Sequence, residues 1–377
     1  VLVTVPQLVE PEIGTQATTL ACALEQAAAN AGELDRSPRF PTDTFRALSA
    51  AGVPQLAADR NSAGLNREIG IVRALAAVDA SAARILDGHF NGVERLALCA
   101  APAVREPELE GVAAGELLLG VWGADPAPGE GPAAKLEQRP DGALLLRGVK
   151  TFCSGAGGVQ RALVTARDAH GVRRLAYVDV TDGIDIDRGW YRASGLRSSE
   201  SHRVEFRETP VLALLGGEDE LMSEPWLSRD AVRTAATWAG LADAIVTGVV
   251  LAMAQVEPDQ MRMHSLGRMR VAQATIDRWL EHAASVLGNA VAAARDFDAG
   301  KPAVEASPCA LSGECRVAIA DAARTIAAAA ASACGSRALI DGGALDRARR
   351  DLDLFLLQHR LDPKLVQIGA GMLAAGA

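Results

Sequence analysis

Hydrophobic positions change their spacing twice along the chain. From the start to about residue 110 they recur at three- and four-residue steps: Ile71, Leu75, Val78, Ala82 and Ile85 line one helical face. Pro41 and Thr42 predict a helix start that Gly52 ends, and a following helix carries His89, Phe90 and Val93, with Pro102 near its end. From about 115 to 215 short β-prone runs replace this pattern (ELLLGVW, KLEQ, ALLLRGVK, RALVTAR, RRLAYVDV, IDID, HRVEF). Pro140-Asp141-Gly142 and Asp168-Ala169-His170-Gly171 separate consecutive runs and predict hairpin turns, because glycine takes positive φ without strain. The middle third should therefore be a mostly antiparallel sheet or barrel.

After Pro225 the helical spacing returns and persists. Ile276, Trp279, Leu280, Ala283, Leu287, Ala290, Ala294 and Phe297 make one long apolar stripe that Gly300-Lys301-Pro302 ends. A second long helix is predicted from about 304 to 338, interrupted near Gly335, and a third from Leu345 to Arg360. Asp362 then caps a last one, with Pro363 at its first position, where a missing N–H does no harm. Helices, strands and helices in that order give an α+β fold with three expected domains: 1–112 helical, 113–218 β, and 219–377 a helical bundle. The small residues of the last block suit close helix packing and a homodimer or homotetramer.

Composition narrows the functional classes. A net charge of −9 over 377 residues offers no basic footprint for nucleic acid or an anionic membrane surface. The six cysteines are widely spaced, without metal-ligand spacing, which fits reduced thiols in a cytoplasmic protein and no metal site. The only long weakly apolar run follows Arg324 and reads as a packed soluble helix, and no signal-peptide pattern opens the chain.

Chemistry concentrates where the run Leu144–Leu146 leads through Lys150, Phe152, Cys153 and Ser154 into Gly155, Gly157 and Gly158: a buried strand ending in an open turn where a flat ligand could lie against backbone. This G-x-K-x-F-x-S motif, inside a β-rich island between helical blocks, resembles the acyl-CoA dehydrogenase superfamily of flavoproteins. GLRSSESHRVEF, with Gly195, Arg197, Ser199, Val204 and Phe206, resembles a second element of that family, and LDRARRDLDL keeps its R-x-x-R-D element as Arg347, Arg350 and Asp351. The likeness spans nearly the whole chain. It implies the fold already outlined, a flavin beside Phe152, Cys153 and Ser154 with Trp122 as a further wall, and dinucleotide contacts from Arg262, Gly335 and Arg350.

Two departures shape the expected activity. The loop GVWGADPAPGEG keeps Asp125-Pro126 but puts Glu130 where the family has a small hydroxyl residue, and a carboxylate there would repel a coenzyme A ester. The family's catalytic glutamate is replaced by Gln358-His359-Arg360, so the base falls to His359 or to Asp230 early in the post-β helix. The resemblance therefore implies, first, FAD-dependent α,β-dehydrogenation of an acyl thioester or related small molecule, with an electron-transfer flavoprotein as partner. The alternative is a two-component monooxygenase using reduced FMN or FAD supplied by a reductase, with His89, Ser154 and His359 around the ring, where neutral imidazole and hydroxyl groups suit moving a proton. A third reading is a catalytically degenerate paralogue serving as a scaffold subunit.

Overall fold

The computed structural model describes residues 14–58, 64–254, 257, 259–295, 308–336, 340, 342–358 and 360–375. Helices α1 (Gly14–Arg36), α2 (Thr42–Ala50), α3 (Gly64–Ala76), α4 (Ala80–Cys99) and α5 (Pro102–Ala113) come first. Seven strands follow: β1 (Leu119–Trp122), β2 (Lys135–Gln138), β3 (Leu144–Cys153), β4 (Arg161–Arg167), β5 (Arg173–Asp179), β6 (Ile184–Asp187) and β7 (His202–Leu215). Helices α6 (Trp226–Met253), α7 (Gln260–Arg295), α8 (Pro308–Cys334), α9 (Ala344–Gln358) and α10 (Asp362–Ala375) complete the order expected from the spacing of apolar residues.

Two local expectations are corrected. The apolar face read through Ile71–Ile85 belongs to two helices, because Asp79 caps α4 by accepting a hydrogen bond at Oδ1 from the Ala82 N–H, 3.0 Å away. Pro102 opens α5 at a position where its missing N–H costs nothing, instead of closing the helix of His89. The predicted stop at residues 300–302 lies outside the described residues.

The strands close into a barrel. β2 and β3 pair antiparallel across the Pro140–Gly142 turn, and β4 and β5 across Asp168–Gly171, as the turn residues predict. β7 is long enough to pair β3 and β6 between His202 and Pro210 and β5 between Val211 and Leu215, and β4–β5 pairing completes the circuit. The parallel β1–β4 and β2–β4 pairings join segments far apart in sequence, which no turn announces.

The two helical blocks share one core. α6 packs on α3, α4, α7, α8 and α9, and its face toward α3 and α4 is ionic. Arg233, fully buried, contacts Glu68 of α3 at 2.7 Å, Glu94 of α4 at 2.9 Å and Asp230 at 3.2 Å. Arg229 meets Glu94 at 2.7 Å and Arg95 meets Asp230 at 2.9 Å. Helices α6 and α8 are long and apolar enough to cross a membrane by length and composition, and both are about half buried in this core.

Removing one member of such a network strands its partners in a low dielectric. Arg233→Met should lower unfolding free energy by about 3–5 kcal/mol in urea titrations. A loss below about 1 kcal/mol would mean that the network is hydrated.

Candidate active site

The end of β3 leaves the sheet through a bulge between Lys150 and Cys153, and Phe152 sits there at φ 52° with its ring 46% exposed. A left-handed conformation costs a residue with a Cβ about 1–2 kcal/mol, so neighbours must hold it. Lys150, buried beneath the bulge, donates to Asp125 Oδ1 at 2.6 Å, Thr165 Oγ1 at 2.8 Å and the Gly123 carbonyl at 3.3 Å. Thr151 donates through its N–H to the Ala124 carbonyl and through its hydroxyl to that of Asp125. The 123–125 loop is thus clamped to the strand, and the bulge turns the Phe152 ring outward.

Trp190 meets that ring edge-on at 5.0 Å and Tyr191 stands 6.5 Å from it. Glu130, expected to repel an acyl-coenzyme A, instead fixes this wall: Oε1 accepts from the Trp190 indole at 3.1 Å and Oε2 from the Ala127 N–H at 2.9 Å. Beside the rings runs a chain of hydroxyls, Ser154 to Ser201 at 2.9 Å and Ser201 to Ser199 at 2.7 Å, all three buried. His202 is buried edge-on to Tyr191 at 6.4 Å. Its Nδ1 has no hydrogen-bond partner among the described residues, and its Nε2 lies 3.2 Å from Glu200 without hydrogen-bond alignment. Burial pushes the Tyr191 phenol up to about 12, and nearby Asp351 adds to the shift, so the hydroxyl keeps its proton at neutral pH.

Helix α9 holds this loop. The Asp351 carboxylate accepts from the Leu196 N–H at 2.6 Å, and Gly195 lies so close to the Arg350 carbonyl that no Cβ would fit. Arg350 donates to the Ser194 carbonyl at 2.6 Å and pairs with Asp35 at 2.6 Å and Asp346 at 2.8 Å.

Of the residues singled out from sequence, Phe152 and Ser154 stand together at the wall. Trp122 does not: it is fully buried, packed on Phe206 and donating to the Ser154 carbonyl at 3.0 Å. Cys153 is also core, its thiol pKa raised by burial. Arg350 is spent on protein acceptors and docks loop to helix, and Asp230 is held by Arg95 and Arg233 within the ionic core. Arg262, half-exposed near Asp259, and Gly335, at the end of α8, lie at one end of the bundle, where Arg262 acts on the Cys334 thiol. His359 lies outside the described residues.

His89 has a structural role. Its Nε2 donates to the Pro54 carbonyl at 3.0 Å and its Nδ1 accepts from the Leu119 N–H at 3.1 Å, so no nitrogen is left for a substrate. The glycine turn is likewise filled by the protein: a Cβ at Gly158 would strike the Phe40 ring, and one at Gly157 the Arg188 guanidinium. What stays exposed beside this turn is Phe152, with Trp190 and Tyr191 against its ring. Trp190, Tyr191, Ser201 and His202 escaped the sequence reading, although an adjacent Trp-Tyr in a polar loop was a signal in a chain with two tyrosines.

No family model matches the chain, and no curated protein does. Solved structures do. FMN-bound TdsC, a dibenzothiophene monooxygenase from Paenibacillus sp. A11-2, superposes with a TM-score of 0.78 at 19% identity, over 95% of this chain and 98% of that one. Methanesulfinate monooxygenase MsuC from Pseudomonas fluorescens gives 0.77 at 22% identity over 96% and 97%. A nitrososynthase from Micromonospora carbonacea var. africana gives 0.73 at 22% over 97% and 98%. These likenesses establish the fold, and it is the acyl-CoA dehydrogenase-like one that the motifs implied.

Burial holds the His89 pKa down at about 4. The unfolded chain takes up a proton below its ordinary value near 6.5 and the folded one does not, so this residue's stability is present above 6.5 and lost as pH falls toward 4. Its share of that loss is on the order of 3 kcal/mol. His89→Gln should be the less pH-sensitive protein in urea titrations between pH 7 and 4.5, and equal slopes would count against a neutral, backbone-bound ring.

Proposed function

We propose that the chain is a reduced-flavin-dependent monooxygenase that binds FMN against the Phe152–Trp190 wall and oxygenates a small substrate. The carrying observation is Phe152 itself: a strained backbone that presents an apolar ring to solvent has no folding rationale, whereas an aromatic ligand laid against that ring would supply one. The unpartnered Nδ1 of buried His202 beside the serine chain fits a ligand with polar ring edges. The overall likeness to flavin-binding structures, among them FMN-bound TdsC, supports the same cofactor.

Dehydrogenation of an acyl thioester, the first expectation from sequence, is less well supported. That reaction needs a base to remove a proton, and in the wider family it is a carboxylate. Around this wall Glu130 holds Trp190, Glu200 is paired with Arg188 at 2.9 Å, and Asp351 holds Leu196. Among the described residues at the wall, what remains are hydroxyls and an imidazole, groups that pass protons without taking a permanent charge.

When bound, reduced flavin would supply the two electrons with which one atom of O₂ enters the substrate and the other leaves as water. The protein's own contribution is positional. Ser154, Ser201 and Ser199 form a hydrogen-bonded run of hydroxyls along which a proton can pass, and protonated Tyr191, donating to the Gly195 carbonyl, stands beside its Ser199–Ser201 end. Such chemistry needs a source of reduced flavin, so a flavin reductase is the natural partner class.

Anaerobic titration with reduced FMN tests the reading. The wild-type chain should bind it, and Phe152→Gly should bind at least about tenfold more weakly, the loss of one aromatic contact of about 1.4 kcal/mol. Relief of the left-handed strain should keep the variant's unfolding free energy within about 1 kcal/mol of wild type. Failure of the wild-type chain to bind either oxidation state of FMN would overturn the proposal.

A further inference from the structure

His202 is the one described histidine that is buried without being used. His170, His264 and His282 are exposed, and buried His89 has both ring nitrogens bonded to backbone. His202 is 5% exposed, and neither of its ring nitrogens has a hydrogen-bond partner among the described residues. Sealed polar atoms are nearly always paired, because an unpaired one forfeits its bonds to water and gains none in return. An imidazole held in this state beside the exposed Phe152 ring and its neighbour Tyr191 calls for a partner from outside.

The surroundings of the ring say what kind. Its Nε2 lies 3.2 Å from Oε2 of Glu200, itself buried, and the same oxygen takes Arg188 at 2.9 Å. From the adjoining elements the ring is met by Tyr191, edge-on at 6.4 Å, and by Cys153, its cross-strand partner on β3. Burial raises the pKa of both, so neither brings a charge at neutral pH. The carboxylate is thus the charged group against this ring, and a carboxylate beside one nitrogen steadies an imidazole whose other nitrogen takes a proton.

The backbone is bent to keep the pair in place. Of the four described residues other than glycine with positive φ, Leu196 and Glu200 flank the turn that carries Ser199, and Phe152 precedes the strand partner of His202. The Ser199 and Glu200 carbonyls accept from the Gly155 and Ala156 N–H groups at 2.8 and 3.2 Å, which fixes the segment to the glycine turn. Strain of this kind persists where the surroundings over-determine it, and it gathers at ligand sites.

We propose that His202 distinguishes the two oxidation states of the flavin: it binds the reduced ring as an imidazolium, between that ring's negative charge and Glu200, and finds no such partner in the oxidised ring. The reduced isoalloxazine is an anion a little above neutral pH and the oxidised one is neutral, so a buried group that can take up a proton gains from the first alone. One proton comes from solvent as the reduced flavin binds and returns when it leaves, and no electron moves in the step. The inference rests on the flavin reading above.

The test titrates the whole flavin-free chain with oxidised FMN and, anaerobically, with reduced FMN at mildly alkaline pH, and repeats the calorimetry in two buffers of different ionisation enthalpy. Wild type should bind reduced FMN at least about tenfold more tightly, which raises the midpoint potential of the bound flavin by about 30 mV over the free one. It should take up a proton with the reduced form only. His202→Gln should bring the two affinities within about threefold of each other and end the uptake. Glu200→Gln should narrow the ratio as well, because the imidazolium loses its counter-ion. The readout is a ratio, so a general weakening of the site cancels from it. Equal affinity of wild type for the two states overturns the inference and leaves the flavin reading standing; a ratio that survives in His202→Gln does the same. A wild-type chain that binds neither state removes both. Should His202→Gln fail to fold, Glu200→Gln carries the test, and an undiminished ratio there overturns the inference.

Discussion

The short bond from the Leu196 N–H to the Asp351 carboxylate is the hinge of the architecture. It joins a loop of the barrel to α9 at the place where Gly195 and Arg350 touch backbone to backbone, and Arg350 extends the same joint to Asp35 of α1. The side of the wall opposite β3 hangs from that loop: Tyr191 donates to the Gly195 carbonyl, and Ser199 and Ser201 follow within six residues. A carboxylate accepting a backbone N–H in a buried setting is directional as well as strong, so it sets the loop's height above the helix as well as its attachment. Movement there would separate the aromatic rings from the helices that complete the site.

The ionic core between α3, α4 and α6 performs the second alignment. Asn91 links Arg233 to Asp87, and Asp87 holds Arg84, so the network runs from the centre of the helical block to the residue that lies over the Phe355 ring of α9. Buried ion pairs are seldom the most stabilising way to fill a core, because each charge first loses its hydration. They do fix geometry, since an arginine shared by three carboxylates has one favourable position, whereas apolar side chains slide. At its far end the network holds Arg84 against the Phe355 ring.

Local chemistry was readable in the sequence and long-range chemistry was not. The hairpins at Gly142 and Gly171 and the proline start of α2 depend on residues within a few positions of each other, and all stand where the turn residues put them, whereas α10 begins one residue earlier than expected, with Asp362 inside its first turn and Leu361 before it. Both halves of the loop–helix joint were visible as separate motifs, GLRSS and RRD, but nothing in either names the other as its partner. Phe152 and Cys153 show the limit at the site. Alternation along a strand should decide which of two neighbours faces out, yet the bulge after Lys150 resets it, and the backbone angle that settles the matter has no sequence signature in a phenylalanine. His89 misled for the opposite reason. A histidine in an apolar helix face is as useful for bridging two backbone segments as for moving protons, and the Pro54 and Leu119 groups that claim it lie 35 and 30 residues away.

Glu130 shows why charge signs read from a loop do not transfer to a ligand. As a bare carboxylate near a binding face it would exclude anions, but here both oxygens accept hydrogen bonds, from Trp190 and from Ala127, and its backbone carbonyl accepts from Arg203. Its negative charge is spread over donors that hold the wall upright. The electrostatic character of the wall is then set by the groups whose hydrogen-bonding capacity is left over, and beside Tyr191 that group is the His202 ring. Unfilled donors, more than net charge, define what such a cleft can recognise, because a satisfied ion gains little from a new partner whereas an unsatisfied one regains what burial took from it.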